Sequence, residues 1–214
     1  MQIFARAGGD QRRRVHAAPG VTSMETISFS ALIVAIAEIG DKTQLLAIIL
    51  AAKFRRPLPI IAGIFAATLL NHAAASALGY FIAQWLTGRT FQIVVGIAFL
   101  AMAAWAVFPD RESEGAANQS RGGVFLTTLV AFFLVEIGDK TQIATSLLAA
   151  RFHDIFLVTI GTTLGMMFAN VPAVYMGEAI TRVVPLAYVR LIAAGLFAIL
   201  GLWVIGMALA QANG

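Results

Sequence analysis

Long apolar runs alternate with short polar breaks along this chain. The runs 57–88, 90–109, 155–177 and 191–214 contain no Asp, Glu, Lys or Arg. Each is long enough to cross the roughly 30 Å hydrocarbon core of a bilayer, which takes about 20 residues of helix. Two further apolar segments, 26–52 and 122–150, are interrupted by charged residues between 38 and 42 and between 136 and 140. The pattern predicts an all-α membrane protein of six transmembrane helices and little else.

Composition agrees. Hydrophobic residues make up 59% of the 214 positions and charged residues only 12%, against roughly 25% charged in soluble domains. The net charge of +4 is not a nucleic-acid signal, because the basic residues sit in short connections between apolar runs, where topology accounts for them. The absence of cysteine excludes disulfides and thiolate metal sites.

The two interruptions are near copies. IAEIGDKTQ at 36–44 and LVEIGDKTQ at 134–142 align with a shift of 98. The same shift maps Ala51–Ala52 onto Ala149–Ala150, Lys53 onto Arg151, Phe54 onto Phe152, Gly63 onto Gly161 and Gly79 onto Gly177. Repeat 1 is placed at 24–108 and repeat 2 at 122–214, each with three helices, joined by a polar linker at 109–121. An odd number of helices per repeat makes the second half enter the membrane in the opposite sense, an inverted-topology repeat.

Orientation follows from Lys and Arg. The linker side carries Lys53, Arg55, Arg56, Arg111, Arg121, Arg182 and Arg190, and the other side Arg89 and Arg151, a count of 7 against 2 that makes the linker cytoplasmic. Residues 1–23 add Arg6, Arg12, Arg13 and Arg14 to the other side and erase that bias. This leader has no apolar h-region, so it is not by itself a signal peptide. Met24 begins METISFSALIVAIAEIG and reads as a natural start. The leader is therefore expected to be disordered or a mis-assigned start.

Glu38 and Asp41 are three residues apart, as are Glu136 and Asp139, so on continuous helices each pair shares a face. Each lies near the middle of its apolar segment, and inverted symmetry brings the two midpoints together. The expectation is one central site lined by four carboxylates. A charge at the bilayer centre costs at least about 2.5 kcal/mol, and residues that bear this cost line ion paths or pair with one another. Glu38, Asp41, Lys42 and their copies Glu136, Asp139 and Lys140 sum to −2, which one divalent cation neutralises. Carboxylate oxygens suit Ca²⁺, Mg²⁺ and Mn²⁺. Gln44, Gln142, Thr43 and Thr141 add neutral oxygens, and Asn71, His72 and Asn170 lie in the following apolar runs. An imidazole among oxygens suits Mn²⁺ better than Ca²⁺. Clustered carboxylates cannot all ionise without a counter-ion, so protons replace a departing metal. Gly40 and Gly138 loosen each motif, and Pro172 is positioned to kink the run that holds Asn170.

The structural alternative is a pair of self-contained i,i+4 ion pairs, Glu38–Lys42 and Glu136–Lys140. It leaves the duplicated Asp, Thr and Gln unexplained. For His72 a packing or hydrogen-bonding role weighs equally with ligation, Asn71 is more often interhelical glue, Trp85, Trp105 and Trp203 are interfacial or packing residues, and Glu178–Arg182 is a structural pair.

AEIGDKTQ and VEIGDKTQ resemble the paired E-x-G-D-[KR]-[ST] signature of the Gdt-type, MneA-like cation–proton antiporters, a family with bacterial manganese exporters and Golgi and chloroplast members. The resemblance covers 24–214. It implies a six-helix inverted repeat, exchange of Mn²⁺ or Ca²⁺ for protons, and Glu38, Asp41, Glu136 and Asp139 as essential acids, with Thr43 and Thr141 completing the motif. The reading is thus a non-enzymatic Mn²⁺ exporter working by alternating access, with no prosthetic group, in the inner (plasma) membrane, as monomer or homodimer and without nucleic acid. Ca²⁺–proton exchange, a passive divalent channel, a membrane metalloenzyme and an assembly factor are the rivals. No HExxH-type helix supports the enzyme.

Overall fold

The structure, a computed structural model, describes residues 22–85, 88–108, 123–176 and 186–210. The linker at 109–121, nearly all of the leader, and Gly177, Glu178 and Arg182 lie outside the described residues. Eight helices occupy the described chain: α1 Ser23–Glu38, α2 Lys42–Phe54, α3 Pro57–Trp85, α4 Arg89–Ala106, α5 Gly123–Glu136, α6 Lys140–Phe152, α7 Ile155–Met176 and α8 Leu186–Ala210. The protein is an all-α membrane protein. Four helices are long and apolar enough to cross a membrane, Pro57–Trp85, Arg89–Ala106, Ile155–Met176 and Leu191–Ala210 within α8.

These four correspond to the uncharged runs. The interrupted segments do not form single helices, which is why the described residues hold eight helices. Each splits in two, α1 with α2 and α5 with α6, at its glycine. α7 passes through Pro172 as one helix.

Local chemistry sets the helix ends. Thr22 and Glu25 form a reciprocal capping box at the start of α1, which satisfies two otherwise orphan amides. Pro57 opens α3, where its missing N–H costs nothing. α2 and α6 close on left-handed caps at Arg55 and His153, whose N–H groups donate to Ala51 and Ala149 carbonyls. These four residues correspond under the shift of 98.

The helix pairings come in swapped couples. α1 packs on α7 while α5 packs on α3, and α2 packs on α7 while α6 packs on α3. α3 and α7 also pack together, as do α4 and α8. Phe99 and Phe197 stack inside the α4–α8 pair, 6.4 Å between ring centroids. Outside it, Trp203 lies under the Arg151 guanidinium at 4.6 Å, whereas Trp85 is exposed at the end of α3.

Small residues let the backbones approach, as membrane helix packing requires. Gly63 faces Thr128 and the Phe125 carbonyl, and Gly161 faces Ser30 and the Ile27 carbonyl. A side chain at either position collides with the opposing backbone. Gly161→Leu is expected to destabilise the protein by about 1–3 kcal/mol, the usual cost of overpacking. Thermal unfolding in detergent measures this. Gly195→Ala is the control, because a Cβ there meets nothing within 4 Å.

Candidate metal centre

The site is built at the two helix breaks. α1 ends on Glu38 and α5 on Glu136, and the chain then turns through Gly40 at φ +78° and Gly138 at φ +75°. Asp41 and Asp139 follow as the N-cap residues of α2 and α6. Positive φ suits glycine and is costly for residues with a Cβ. Each break is closed in the same way. The Asp41 and Asp139 amides donate to the Glu38 and Glu136 carbonyls, at 3.0 Å in both halves. The Gly40 amide donates to Gln44 Oε1 at 2.9 Å and the Gly138 amide to Gln142 Oε1 at 2.7 Å.

This geometry corrects the shared-face expectation and gives Gln44 and Gln142 a further task. Glu38 and Asp41, like Glu136 and Asp139, do not share a face of one helix, because the helix ends between them. Gln44 and Gln142 were expected to offer oxygens to an ion; here those oxygens brace the breaks, and Gln44 Nε2 donates to the Ala169 carbonyl on α7 at 3.0 Å.

The breaks bring carboxylates together across the two halves. Oxygens of Glu38, Asp41 and Asp139 lie within 4.8 Å of one another. Glu38 and Asp139 are buried and Asp41 is half-buried. An N-cap aspartate ordinarily spends its carboxylate on the first amides of its helix, but neither Asp41 nor Asp139 makes that bond. Glu38 also sits at the C-terminal end of α1, where the helix dipole disfavours an anion and favours a cation. Like charges at this separation repel by roughly 3–4 kcal/mol per pair at an effective dielectric of about 20. A cation or protons relieve that repulsion.

The fourth acid stands apart from this trio. Glu136 is buried, and its oxygens accept from Thr68 Oγ1 at 2.7 Å and Asn71 Nδ2 at 2.8 Å, both on α3. Asn71 Nδ2 also lies 3.2 Å from the Phe133 carbonyl, so it ties helices together and holds the acid at once. Among the described residues Glu38 receives a longer contact, 3.4 Å from Asn170 Nδ2.

The lysines do not form i,i+4 helical pairs, since the break removes the helix that would align them. Lys42 Nζ lies 3.1 Å from Asp139 Oδ1, an ion pair between the halves. Lys140 Nζ donates to the Phe108 carbonyl at 2.7 Å and lies 5.7 Å over the Trp105 ring. The three clustered carboxylates with Lys42 sum formally to −2, the charge one divalent cation cancels.

Several buried acceptors near the cluster have no hydrogen-bond partner among the described residues: Glu38 Oε2, Thr43 Oγ1 and Asn170 Oδ1. An unsatisfied buried polar atom costs about 1–3 kcal/mol, and this set of oxygens suits a hard cation. Thr141 differs from Thr43, since its hydroxyl lies 3.3 Å from Asp139 Oδ2. His72 is fully buried with neither ring nitrogen hydrogen-bonded among the described residues. It is not among the groups that converge within reach of one ion.

Two residues escaped the sequence reading. Thr68 holds Glu136, and Met166 lies against Asn170, with Sδ 3.2 Å from Asn170 Nδ2. The repeat carried the signal, since 68 and 166 correspond under the shift of 98, one turn ahead of Asn71 and Asn170.

Comparison with known proteins fits this arrangement. The family model described as "Divalent cation/proton antiporter GDT1" matches twice, at 26–114 and 124–212. A Vibrio cholerae protein named "Putative manganese exporter" is 47% identical over 180 residues, covering 84% of this chain and 90% of that one. A GDT1-like protein of Synechocystis is 27% identical over 185 residues, covering 78% and 89%. No solved structure matches the chain. With two family matches that together span most of its length, the chain belongs to the GDT1 family of divalent cation/proton antiporters, transporters rather than enzymes.

Proposed function

We propose that this protein exports Mn²⁺ from the cytoplasm in exchange for protons, by alternating access to the site between the two breaks. The observation that carries the proposal is the convergence of Glu38, Asp41 and Asp139, from both halves, within 4.8 Å. The manganese assignment rests on the Vibrio relative's name and on the carboxylate-rich donor set.

In this reading α1–α2 and α5–α6 each cross the membrane as one broken span. With α3, α4, α7 and α8 that gives six crossings in two inverted repeats, 24–108 and 122–214, with the linker cytoplasmic in the inner membrane. The swapped helix pairings and the double family match support it.

Glu38, Asp41 and Asp139 hold the ion, and Asn170 and Thr43 offer further oxygens. Glu136 is the reserve acid, held by Thr68 and Asn71 until the halves rock. Thr141 steadies Asp139, Gln44 and Gln142 keep the breaks open, and His72 is a candidate ligand in the alternate state. Lys42 occupies Asp139 when the metal is away. Ion release leaves carboxylates that cannot remain jointly charged, so protons bind and return.

Proteoliposomes holding a pH dye and a divalent-cation dye test this. Mn²⁺ movement with opposite proton movement is expected. Faster Ca²⁺ than Mn²⁺ exchange reassigns the substrate. Metal flux without proton movement makes the protein a channel and contradicts the proposal.

A further inference from the structure

The two halves treat their buried glutamates differently. In one half a hydroxyl, Thr68 Oγ1, donates to Glu136 at 2.7 Å. The corresponding position in the other half is Met166, fully buried on α7. Its sulfur shares a single donor with Glu38. Asn170 Nδ2 lies 3.2 Å from Met166 Sδ, 3.1 Å from the Met166 carbonyl and 3.4 Å from Glu38 Oε1. Three acceptors around that nitrogen fix which end of the amide is which. The amide oxygen is left buried without a partner.

We propose that Met166 is a specificity-determining residue of the ion site, its thioether, which shares the Asn170 amide donor with Glu38, biasing the site toward softer divalent cations and against Ca²⁺. The inference rests on the transport-site reading above and deepens it. Ca²⁺ takes six to eight oxygen ligands. A thioether is a weak, polarizable acceptor that hard cations use poorly and softer ones tolerate. Placed where the repeat has a hydroxyl in its other half, the sulfur withholds an oxygen from the Glu38 side of the cluster. A cation drawing on Glu38 finds, across the shared Asn170 amide nitrogen, a sulfur rather than a hydroxyl. The asymmetry thus supplies a selectivity that the duplicated carboxylates lack.

Cd²⁺ and Ca²⁺ separate softness from size, being close in radius and far apart in polarizability. The test is equilibrium binding of each ion to the full chain in detergent, for the unsubstituted protein, Met166→Leu and Met166→Thr. Leucine keeps the volume and removes the sulfur. Threonine restores the hydroxyl of the other half. The Cd²⁺-over-Ca²⁺ preference is expected to fall about tenfold in Met166→Leu, the scale of an altered neighbour of a metal ligand, with Ca²⁺ binding gained in Met166→Thr. An unchanged preference in both variants, with binding retained, overturns the proposal and leaves Met166 a packing residue. Failure of the unsubstituted protein to bind either ion contradicts the transport-site reading itself, and the inference with it. Loss of binding in Met166→Leu while Met166→Thr binds with unchanged preference also overturns it.

Discussion

Glu38→Gln is expected to abolish Mn²⁺ exchange, lowering flux by about 100-fold or more, the upper range for disturbing a metal site, while leaving the fold intact. Glutamine keeps the shape of the side chain and its contact with Asn170, but it removes one of three clustered charges. Loss of like-charge repulsion is expected to raise the thermal stability of the metal-free protein. Mn²⁺ then no longer stabilises it. In the unsubstituted protein Mn²⁺ at about a hundredfold over its dissociation constant should add about 2.7 kcal/mol. Asp139→Asn should lose flux similarly, without the gain in stability, because it also breaks the Lys42 ion pair between the halves. Detergent melts with and without Mn²⁺, beside proteoliposome flux, separate these effects. Retained flux in Glu38→Gln contradicts the assignment.

The second large effect lies in the backbone. Gly40 and Gly138 hold φ of +78° and +75°, a region that costs other residues about 1–2 kcal/mol. Gly40→Ala and Gly138→Ala each favour continuous helix across the break. Such a helix removes the turn that sets Asp41 or Asp139 at an N-cap, and with it the arrangement that brings the three carboxylates of both halves within 4.8 Å. A bias of 1–2 kcal/mol shifts populations about 5- to 30-fold, and flux is expected to fall on that scale, with the double substitution inactive. Space is not the cause, since a Cβ on Gly138 meets nothing within 4 Å. Helical content by circular dichroism should hold or rise slightly. Full activity in the double variant contradicts a role for the breaks.

Much of this architecture is legible in the chain. The uncharged runs give α3, α4, α7 and α8 because apolar length alone marks a membrane-crossing helix. The motif copies give the site, because charges at mid-segment need a reason. Three features were not legible. Glycine in the motif announced a weak point, but not that each helix would stop there, and so the shared-face geometry was misplaced and the alternative of i,i+4 lysine pairs lost its helix. Gln44 and Gln142 looked like ligands by type, and their amide oxygens turned out to satisfy amides that only a broken helix exposes. Thr68 and Met166 were ordinary letters inside apolar runs. Their importance depends on α3 delivering Thr68 to Glu136 and on α7 carrying Met166, with its neighbour Asn170, to Glu38, a fact of packing rather than of local pattern.

In the proposed mechanism one buried site holds either a divalent cation or protons. Calorimetric titration of Mn²⁺ into the purified protein, repeated in buffers of different ionisation enthalpy, counts the protons released per ion bound. Release of at least about one proton per Mn²⁺, lost in Glu38→Gln, is the expected result, because metal binding to carboxylates displaces protons. Mn²⁺ binding with no proton released would contradict exchange at this site.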